Sequence, residues 1–168
     1  MSTRELRSRL IGTRSYDAQV VSVELASIND CVALARTSKL AFDSDVDFGA
    51  PVPGGPPGYD SARWYQSAMR RGSLFRVIDD GEIVGGVLVF RKTSNCYELA
   101  RIWLAPAATG QGIGGDVMRQ VEELFPQAER WILDTPIWNT RTRHFYDSFG
   151  YQEYRRDREF LYLEKRTD

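Results

Sequence analysis

The chain has 168 residues, of which 42% are hydrophobic and 27% charged, and its formal net charge is −1. This length and composition are typical of one globular domain with its own hydrophobic core. The near-zero charge provides no overall attraction to nucleic acid or to an anionic membrane, so we expect neither partner. A single histidine and two cysteines without metal-ligand spacing disfavour zinc sites and serine-type triads, so we expect no metal.

Targeting signals are not evident in the sequence. The first 14 residues carry four arginines and no long apolar run, unlike a secretory signal. The longest apolar run, Ile83 to Phe90, contains two glycines and is too short to cross a bilayer. We therefore expect a cytoplasmic protein, with an N-terminal extension over residues 1–18 and a single domain over residues 19–168.

The first half of the chain predicts a strand, two helices and a long loop. Val20 to Leu25 has the composition of a short strand. Residues 28–42 have helical periodicity, and the predicted buried stripe is Ile28, Val32, Ala35 and Leu40. Residues 43–59 contain four prolines and four glycines and predict a surface loop. A second helix follows, from a cap at Asp60 or Ser61 to Met69.

The second half predicts mostly strands. Residues 74–78 and 83–90 flank an Asp-Asp-Gly turn and predict a hairpin. A third strand over residues 97–104 precedes a helix, whose predicted buried stripe is Ile113, Val117, Val121 and Leu124. A short strand over residues 131–133, a helix over residues 141–149 and one or two strands within residues 151–163 follow. The order predicts an α+β fold, in which helices flank a mixed sheet.

A glycine-dense turn precedes the helix that begins near Ile113. Gly110, Gly112, Gly114 and Gly115 fall within six residues. The first N–H groups of a helix have no internal acceptor and lie at the positive end of its dipole, so a turn without side chains favours a phosphate there. The sequence therefore predicts a ligand that carries phosphate.

One interpretation of this turn is a Rossmann oxidoreductase that binds NAD. Gly110, Gly112 and Gly115 match the dinucleotide fingerprint, and Asp134 follows 19 residues after the last of them. Three observations disfavour this interpretation. Pro106 and three further residues separate the strand from the first glycine, only 34 residues follow Asp134, and a hairpin precedes the motif. If the turn is not a dinucleotide site, Asp134 is interpreted as a residue at the end of a strand and not as a ribose ligand.

The segment from Leu99 onward resembles the acyl-CoA site of the GNAT superfamily of N-acetyltransferases. The family signature, Arg/Gln-x-x-Gly-x-Gly/Ala, is matched by Thr-Gly-Gln-Gly-Ile-Gly at residues 109–114, with Thr109 in place of the usual Arg or Gln. A second segment is similar to another family signature, with Asn139 before a helix, then Phe145-Tyr146 and Gly150-Tyr151. The resemblance covers roughly residues 20 to 160.

This resemblance implies both a fold and an activity. The fold would be GNAT-like, with a central mixed, mostly antiparallel sheet flanked by helices. The activity would be transfer of an acetyl group from acetyl-CoA to a primary amine of a small molecule or a protein. The resemblance implies Tyr146 as general acid and Glu98 as a possible general base, with a chain of water molecules, which many relatives use, as the alternative. It also implies that acetyl-CoA binds to Ile102, Trp103, Leu104, Thr109, Gly110, Gln111, Gly112, Ile113, Gly114, Gly115 and Asn139. Relatives are often dimers, so a homodimer is an open alternative.

Structural roles are the alternatives for individual residues. Tyr146 could be a core aromatic, but Phe145 and Phe149 at i and i+4 predict a buried stripe that leaves Tyr146 to one side. Glu98 could form a cross-strand ion pair instead of acting as a base, and its candidate partners are Arg76, Arg91 and Lys92. Asn139 could equally cap the helix that follows it.

The acceptor side is less defined by the sequence. The 43–59 loop carries Asp43, Asp45 and Asp47, with Phe48, Tyr59 and Trp64 nearby. Acids beside aromatic rings suit a cationic amine, but they are also typical of a solvated loop. A non-catalytic acyl-CoA-binding domain on the same fold is the alternative to an enzyme.

Overall fold

The computed structural model describes residues 21–167, so the predicted boundary between an extension (1–18) and the domain (19–168) lies outside the described residues. This range contains seven strands and four α-helices. The strands are β1 (Ser22–Leu25), β2 (Ser73–Asp79), β3 (Glu82–Arg91), β4 (Cys96–Leu104), β5 (Arg130–Pro136), β6 (Gln152–Arg156) and β7 (Phe160–Arg166). The helices are α1 (Cys31–Asp43), α2 (Ala62–Ala68), α3 (Ile113–Leu124) and α4 (Thr140–Ser148).

The strands form one sheet in the order β1-β2-β3-β4-β5-β7-β6. Every neighbouring pair is antiparallel except β4 and β5, which are parallel. Because parallel neighbours need a crossover, α3 connects these two strands. The predicted fold class, α+β with a mixed and mostly antiparallel sheet, is confirmed.

The parallel pair is short. Its register joins only Cys96–Glu98 of β4 to Arg130–Ile132 of β5. Beyond Glu98, β4 continues to Leu104 and pairs with β3 alone. The sheet therefore opens between β4 and β5, and we call this gap the strand opening.

Hydrophobic clusters cover both faces of the sheet. The first cluster packs Val117 and Val121 of α3 and Tyr146 of α4 against strands from both halves of the sheet. The second places α1 and α2 over β2, β3 and β4, around Leu34 and Trp103. Since the described residues of the second cluster include none from β5, β6 or β7, the α1–α2 layer covers only one half of the sheet.

A bulge in β4 determines which side chains point to each cluster. Leu88 pairs with Arg101 whereas Val89 pairs with Leu99, so Ala100 is the extra residue. Before the bulge, Leu99 belongs to the first cluster. After it, Arg101 and Trp103 point to the α1–α2 layer, where they donate hydrogen bonds to hydroxyls of that layer.

The predicted buried stripe of the first helix is wrong. Ile28, Val32 and Leu40 are exposed by 57%, 70% and 54%. The buried face of α1 instead consists of Cys31, Leu34, Ala35, Thr37 and Ser38. Polar residues can occupy this face because both hydroxyls have partners. Thr37 Oγ1 accepts from Trp103 Nε1 at 3.0 Å, and Ser38 Oγ is 2.7 Å from the Tyr65 hydroxyl.

Two smaller predictions also change. Leu124, placed in the buried stripe of α3, is 47% exposed, while Met118 is buried. The helix ends at Leu124, and Phe125 turns inward instead, packing against Phe75 and Trp131. The predicted 43–59 loop begins with the last residue of α1 and a 3-10 turn (Ser44–Phe48), so irregular chain starts only at Gly49.

Gly86 permits close packing between β3 and the second cluster. A Cβ at this position would lie 2.3 Å from Trp103 Cζ2 and 2.9 Å from Leu34 Cδ2. We expect Gly86→Ala to lower the free energy of unfolding by about 1–3 kcal/mol through overpacking, measured by urea denaturation. Trp103→Phe in the same chain removes the clashing ring atoms and should recover part of that loss. Strictly additive losses in the double variant would contradict this explanation.

Candidate functional site

The strand opening exposes one edge of β4. Ile102, Trp103 and Leu104 pair with Val87, Gly86 and Gly85 of β3. Backbone N–H and C=O groups of a strand point alternately to its two edges, so those directed away from β3 face the opening. The Trp103 side chain is buried and belongs to the core. This segment therefore offers a ligand mainly its backbone.

The glycine turn lies at the end of β4 and leads into α3. Residues 109–112 are exposed. Gly110 and Gly112 have φ angles of +78° and +75°, which favour glycine. A Cβ on either would meet no atom within 4 Å, so the space around the turn is open. Asp116 N donates to Gly112 O at 3.4 Å, and the earlier N–H groups of the helix lie before the first i→i−4 bond. The turn fits a phosphate-bearing ligand.

The last two glycines of the turn permit close helix packing. A Cβ on Gly114 would lie 3.0 Å from Phe145 Cε2, and one on Gly115 would lie 3.4 Å from Phe149 Cζ. The aromatic residues of α4 thus rest directly on the first turn of α3. These contacts fix the glycine turn relative to α4.

The side chains near the start of the turn either make contacts within the chain or are exposed to solvent. Thr109 Oγ1 donates to the Pro106 carbonyl at 2.8 Å, so its hydroxyl stabilises the turn. Gln111 is exposed, whereas Ile113 is buried and packs in the first cluster. Ile113 can therefore contribute to a ligand site only through its backbone.

Tyr146 is the buried residue of α4, at 7% exposure. The prediction that it stands apart from the buried face is wrong. Phe145 and Phe149 are only half-buried, because they lean on the glycines of α3. Burial first, and the negative charge of Asp134 second, hold the pKa of Tyr146 well above its usual range. The hydroxyl therefore stays protonated at neutral pH and can donate a proton.

Asn139 caps the helix that carries Tyr146. Its Oδ1 accepts from the Thr142 backbone N–H at 3.1 Å, and the residue is buried. Thr142 Oγ1 also lies 2.7 Å from Thr135 Oγ1 on β5. The capping alternative for Asn139 is therefore present in the structure. Together these contacts anchor α4 on β5 and so set the position of Tyr146.

Glu98 lies at the point where β4 and β5 part. It is half-buried, and its Oε2 is 2.9 Å from Lys92 Nζ. Of its three candidate partners, Arg76 pairs with Glu24 and Asp30 instead. The ion-pair alternative is thus present in the structure, and the role of Glu98 as a base stays a prediction.

Asp134, interpreted from sequence as a strand-end residue, lies on the same face of the sheet as Glu98. It follows Ile132 by two residues on β5, and Ile132 pairs with Glu98, so Glu98 and Asp134 share a face of the sheet. Although Asp134 as a whole residue is exposed, partial desolvation of its carboxylate, and then the charges of Glu98 and Asp157, raise its pKa. The charge of Asp134 in turn raises the pKa of Tyr146. A single carboxylate within an otherwise uncharged run, Trp131–Pro136, is the sequence signal that could have revealed it.

The acids of the 43–59 loop have partners within the chain. Asp43 accepts from the Tyr59 hydroxyl at 2.7 Å and also pairs with Lys39. Asp45 Oδ1 lies 3.4 Å from Arg141 Nη2. The Arg141 guanidinium also sits 3.5 Å from the centre of the Phe48 ring. These contacts brace the loop against α1 and α4, as the alternative of a structural loop predicts.

Arg101 occupies the aromatic surface that the loop offers. It is buried, and its guanidinium lies 3.7 Å from the centre of the Trp64 ring. It also donates to the Tyr65 hydroxyl at 3.3 Å and to the Pro57 carbonyl. Arg101 therefore connects β4, α2 and the loop, and fills the cation–π position over Trp64.

Residues 21–167 contain neither a metal-ligand cluster nor a membrane span. No group of three or more His, Cys, Asp or Glu side chains in that range could hold a metal ion. No helix of the described range is long and apolar enough to span a bilayer.

The chain matches a known family and many solved structures. The model of the acetyltransferase (GNAT) family matches residues 40–151. A PaiA N-acetyltransferase from Thermoplasma acidophilum, solved with coenzyme A, has a TM-score of 0.75 at 16% identity and covers 88% of this chain and 99% of its own. An acetyltransferase from Thermus thermophilus has a TM-score of 0.74 at 14% identity, and the match covers 88% of this chain and 97% of that protein. A GNAT family acetyltransferase from Elizabethkingia anophelis with acetyl-CoA bound has a TM-score of 0.61 at 14% identity, and the match covers 88% of this chain and 98% of that protein. At these identities, the likeness concerns the fold.

Proposed function

The chain belongs to the acetyltransferase (GNAT) family, and we propose that it transfers an acetyl group from acetyl-CoA to a primary amine. The acceptor is a small-molecule amine or a protein amino group. The observation that carries the proposal is the glycine turn at the end of the free edge of β4, with α4, the helix that carries Tyr146, packed against the first turn of α3. Neighbours of this fold were solved with coenzyme A or acetyl-CoA, which supports the choice of co-substrate.

Backbone groups would provide most of the binding energy for acetyl-CoA. The N–H groups of residues 109–115 would hold its diphosphate, aided by the dipole of α3. The free edge of Ile102–Leu104 would bind the pantetheine amides as an added strand does. Asn139 would contribute its Nδ2, because its Oδ1 is engaged in the cap. The fit rests on the open space around Gly110 and Gly112.

Tyr146 would act as the general acid. Acetyl-CoA supplies an acetyl group activated as a thioester. As the amine nitrogen bonds to the carbonyl carbon and the C–S bond breaks, Tyr146 would donate its proton to the departing sulfur. Tyr146 holds that proton at neutral pH, as an ordinary tyrosine hydroxyl does, so the proton is available when the sulfur becomes negative.

Two carboxylates could accept the proton that the amine loses. Glu98 is the residue implied by the family resemblance, but its carboxylate is already engaged by Lys92. Asp134 forms no salt bridge within residues 21–167, and its raised pKa makes it a stronger base than an ordinary aspartate. We therefore propose that Asp134, and not Glu98, accepts the proton from the amine. Glu98 would contribute a negative charge near Asp134.

Thermal melting tests the co-substrate and its binding place together. Acetyl-CoA at 100 times its dissociation constant should add about 2.7 kcal/mol of stability, while NAD should add none. Gly112→Val places a side chain in the turn and should weaken acetyl-CoA affinity at least about tenfold, which reduces the shift. Gly81→Val is the matched control, since Gly81 has φ +77° and open space but lies in the β2–β3 hairpin. Both variants carry the same backbone strain, so equal loss of binding would contradict the proposed phosphate site.

The role of Tyr146 is tested by its phenylalanine variant. We expect Tyr146→Phe to lower turnover about 10² to 10⁴-fold, with little change in acetyl-CoA affinity, because only the proton donor is removed. Thiol release from acetyl-CoA with a panel of amines measures turnover. Tyr151→Phe, a neighbouring buried tyrosine on the same cluster, should leave turnover nearly unchanged. Unaltered turnover in Tyr146→Phe would remove it from the mechanism, and no release with any amine would favour a non-catalytic acyl-CoA-binding domain.

The pH dependence identifies the base. A raised carboxyl pKa disfavours the folded state as pH rises through it, so charged Asp134 lowers stability at neutral pH. Asp134→Asn should therefore raise the melting temperature at pH 7 while lowering turnover about 10² to 10⁴-fold and removing the acidic limb of the pH–rate profile. Glu98→Gln should keep that limb. The reverse pattern would assign the proton transfer to Glu98.

A further inference from the structure

Three arginines line a surface cavity at the end of β4 away from the glycine turn. Arg70 and Arg71 follow α2, and Arg91 is the last residue of β3. The cavity has a volume of about 340 Å³, and its remaining lining residues are Gly72, Ser73, Val89, Tyr97 and Phe125. We call it the arginine pocket. Tyr97 and Leu104 lie near the two ends of β4, about 23 Å apart at strand geometry, so the pocket is separate from the glycine turn that follows Leu104.

The positive charge of the pocket is not neutralised by the described part of the chain. No carboxylate lines it, and within residues 21–167 none of its three arginines forms a salt bridge. Arg91 Nε donates to the Thr93 carbonyl at 3.1 Å, which leaves its terminal N–H groups available to a ligand. Such guanidinium groups bind phosphate oxygens with paired hydrogen bonds.

The end of a helix explains why Arg70 and Arg71 lie at the pocket, but it does not explain Arg91. The C-terminal end of a helix favours positive charge, which accounts for Arg70 and Arg71 after α2. Arg91 belongs to a different element and reaches the same cavity from β3. All three arginines are exposed to solvent, and a cavity lined by three positive charges and, among the described residues, no carboxylate attracts an anion.

Acidic residues next to the arginine pocket limit the length of the anion that can bind there. A second cavity shares Phe125 with the arginine pocket, and its lining contains three glutamates, Glu122, Glu123 and Glu129, against one arginine, Arg119. A long polyanion running past Phe125 would meet these carboxylates. The basic surface is therefore confined to a region the size of a small molecule. We infer that the arginine pocket binds a small polyphosphate or phosphate ester, independently of the acetyl-CoA site.

Calorimetry with pyrophosphate tests this site in the full chain. We expect saturable binding of pyrophosphate that persists in Gly112→Val, where the glycine turn is blocked. Arg71→Gln and Arg91→Gln should each weaken it at least about tenfold, since each loses a paired phosphate contact. Arg63→Gln is the matched control, because Arg63 is an exposed arginine of α2 outside the pocket, and its affinity should change less than about twofold.

Several results would overturn the inference. These are no binding by the wild-type chain, equal losses in Arg63→Gln and Arg91→Gln, or binding lost in Gly112→Val alone. Citrate, a tricarboxylate of similar charge, should bind more weakly than pyrophosphate, and tighter citrate binding would reject a phosphate ligand. Unchanged melting curves of the arginine variants establish that any loss of affinity is not a loss of folding.

Discussion

The early parting of β4 and β5 is the constraint on which the site depends. Two parallel strands that paired along their whole length would satisfy each other's backbone groups, whereas this pair stops at Glu98. The polar groups beyond that point require another partner, and the crossover through α3 places its N–H groups at the same end of the strand. Contacts of α4 with both α3 and β5 then fix the helix that carries Tyr146. The early end of this ladder thus sets the position of the free strand edge, the glycine turn and the start of α3.

The sequence predicted the order of elements well because turn and periodicity signals are local. The Asp80-Gly81 turn, the Ser61 cap and the glycine turn each act within a few residues. The buried face of α1 failed because it depends on distant partners. Thr37 and Ser38 are buried only because Trp103 and Tyr65 supply hydrogen bonds from other elements. Hydrophobic periodicity contains no information about such pairs.

The candidate site shows the same division. The glycines and Tyr146 were predicted from motifs that are contiguous in the chain. The burial of Tyr146 was mispredicted because the face of α4 that packs into the core is set by tertiary contacts, such as that of Phe145 with Gly114. Asp134 was interpreted only as a strand-end residue because its place on the face of Glu98 follows from the register of β5 against β4. The Rossmann interpretation arose because a β4–α3–β5 crossover also carries glycines at a helix start, although the surrounding sheet is antiparallel.

A glycine turn and a free strand edge present main-chain atoms, and every amino acid has the same main chain. Such a surface is preserved as long as the backbone keeps its path, whichever side chains are attached. Only the few positions with left-handed φ or close helix contact restrict the residue type, here Gly110, Gly112 and Gly114. At other positions the amino-acid sequence can change extensively. The three similar structures described above share 14 to 16% of their residues with this chain over 88% of its length. The path of the backbone can thus be kept by chains that have few residues in common.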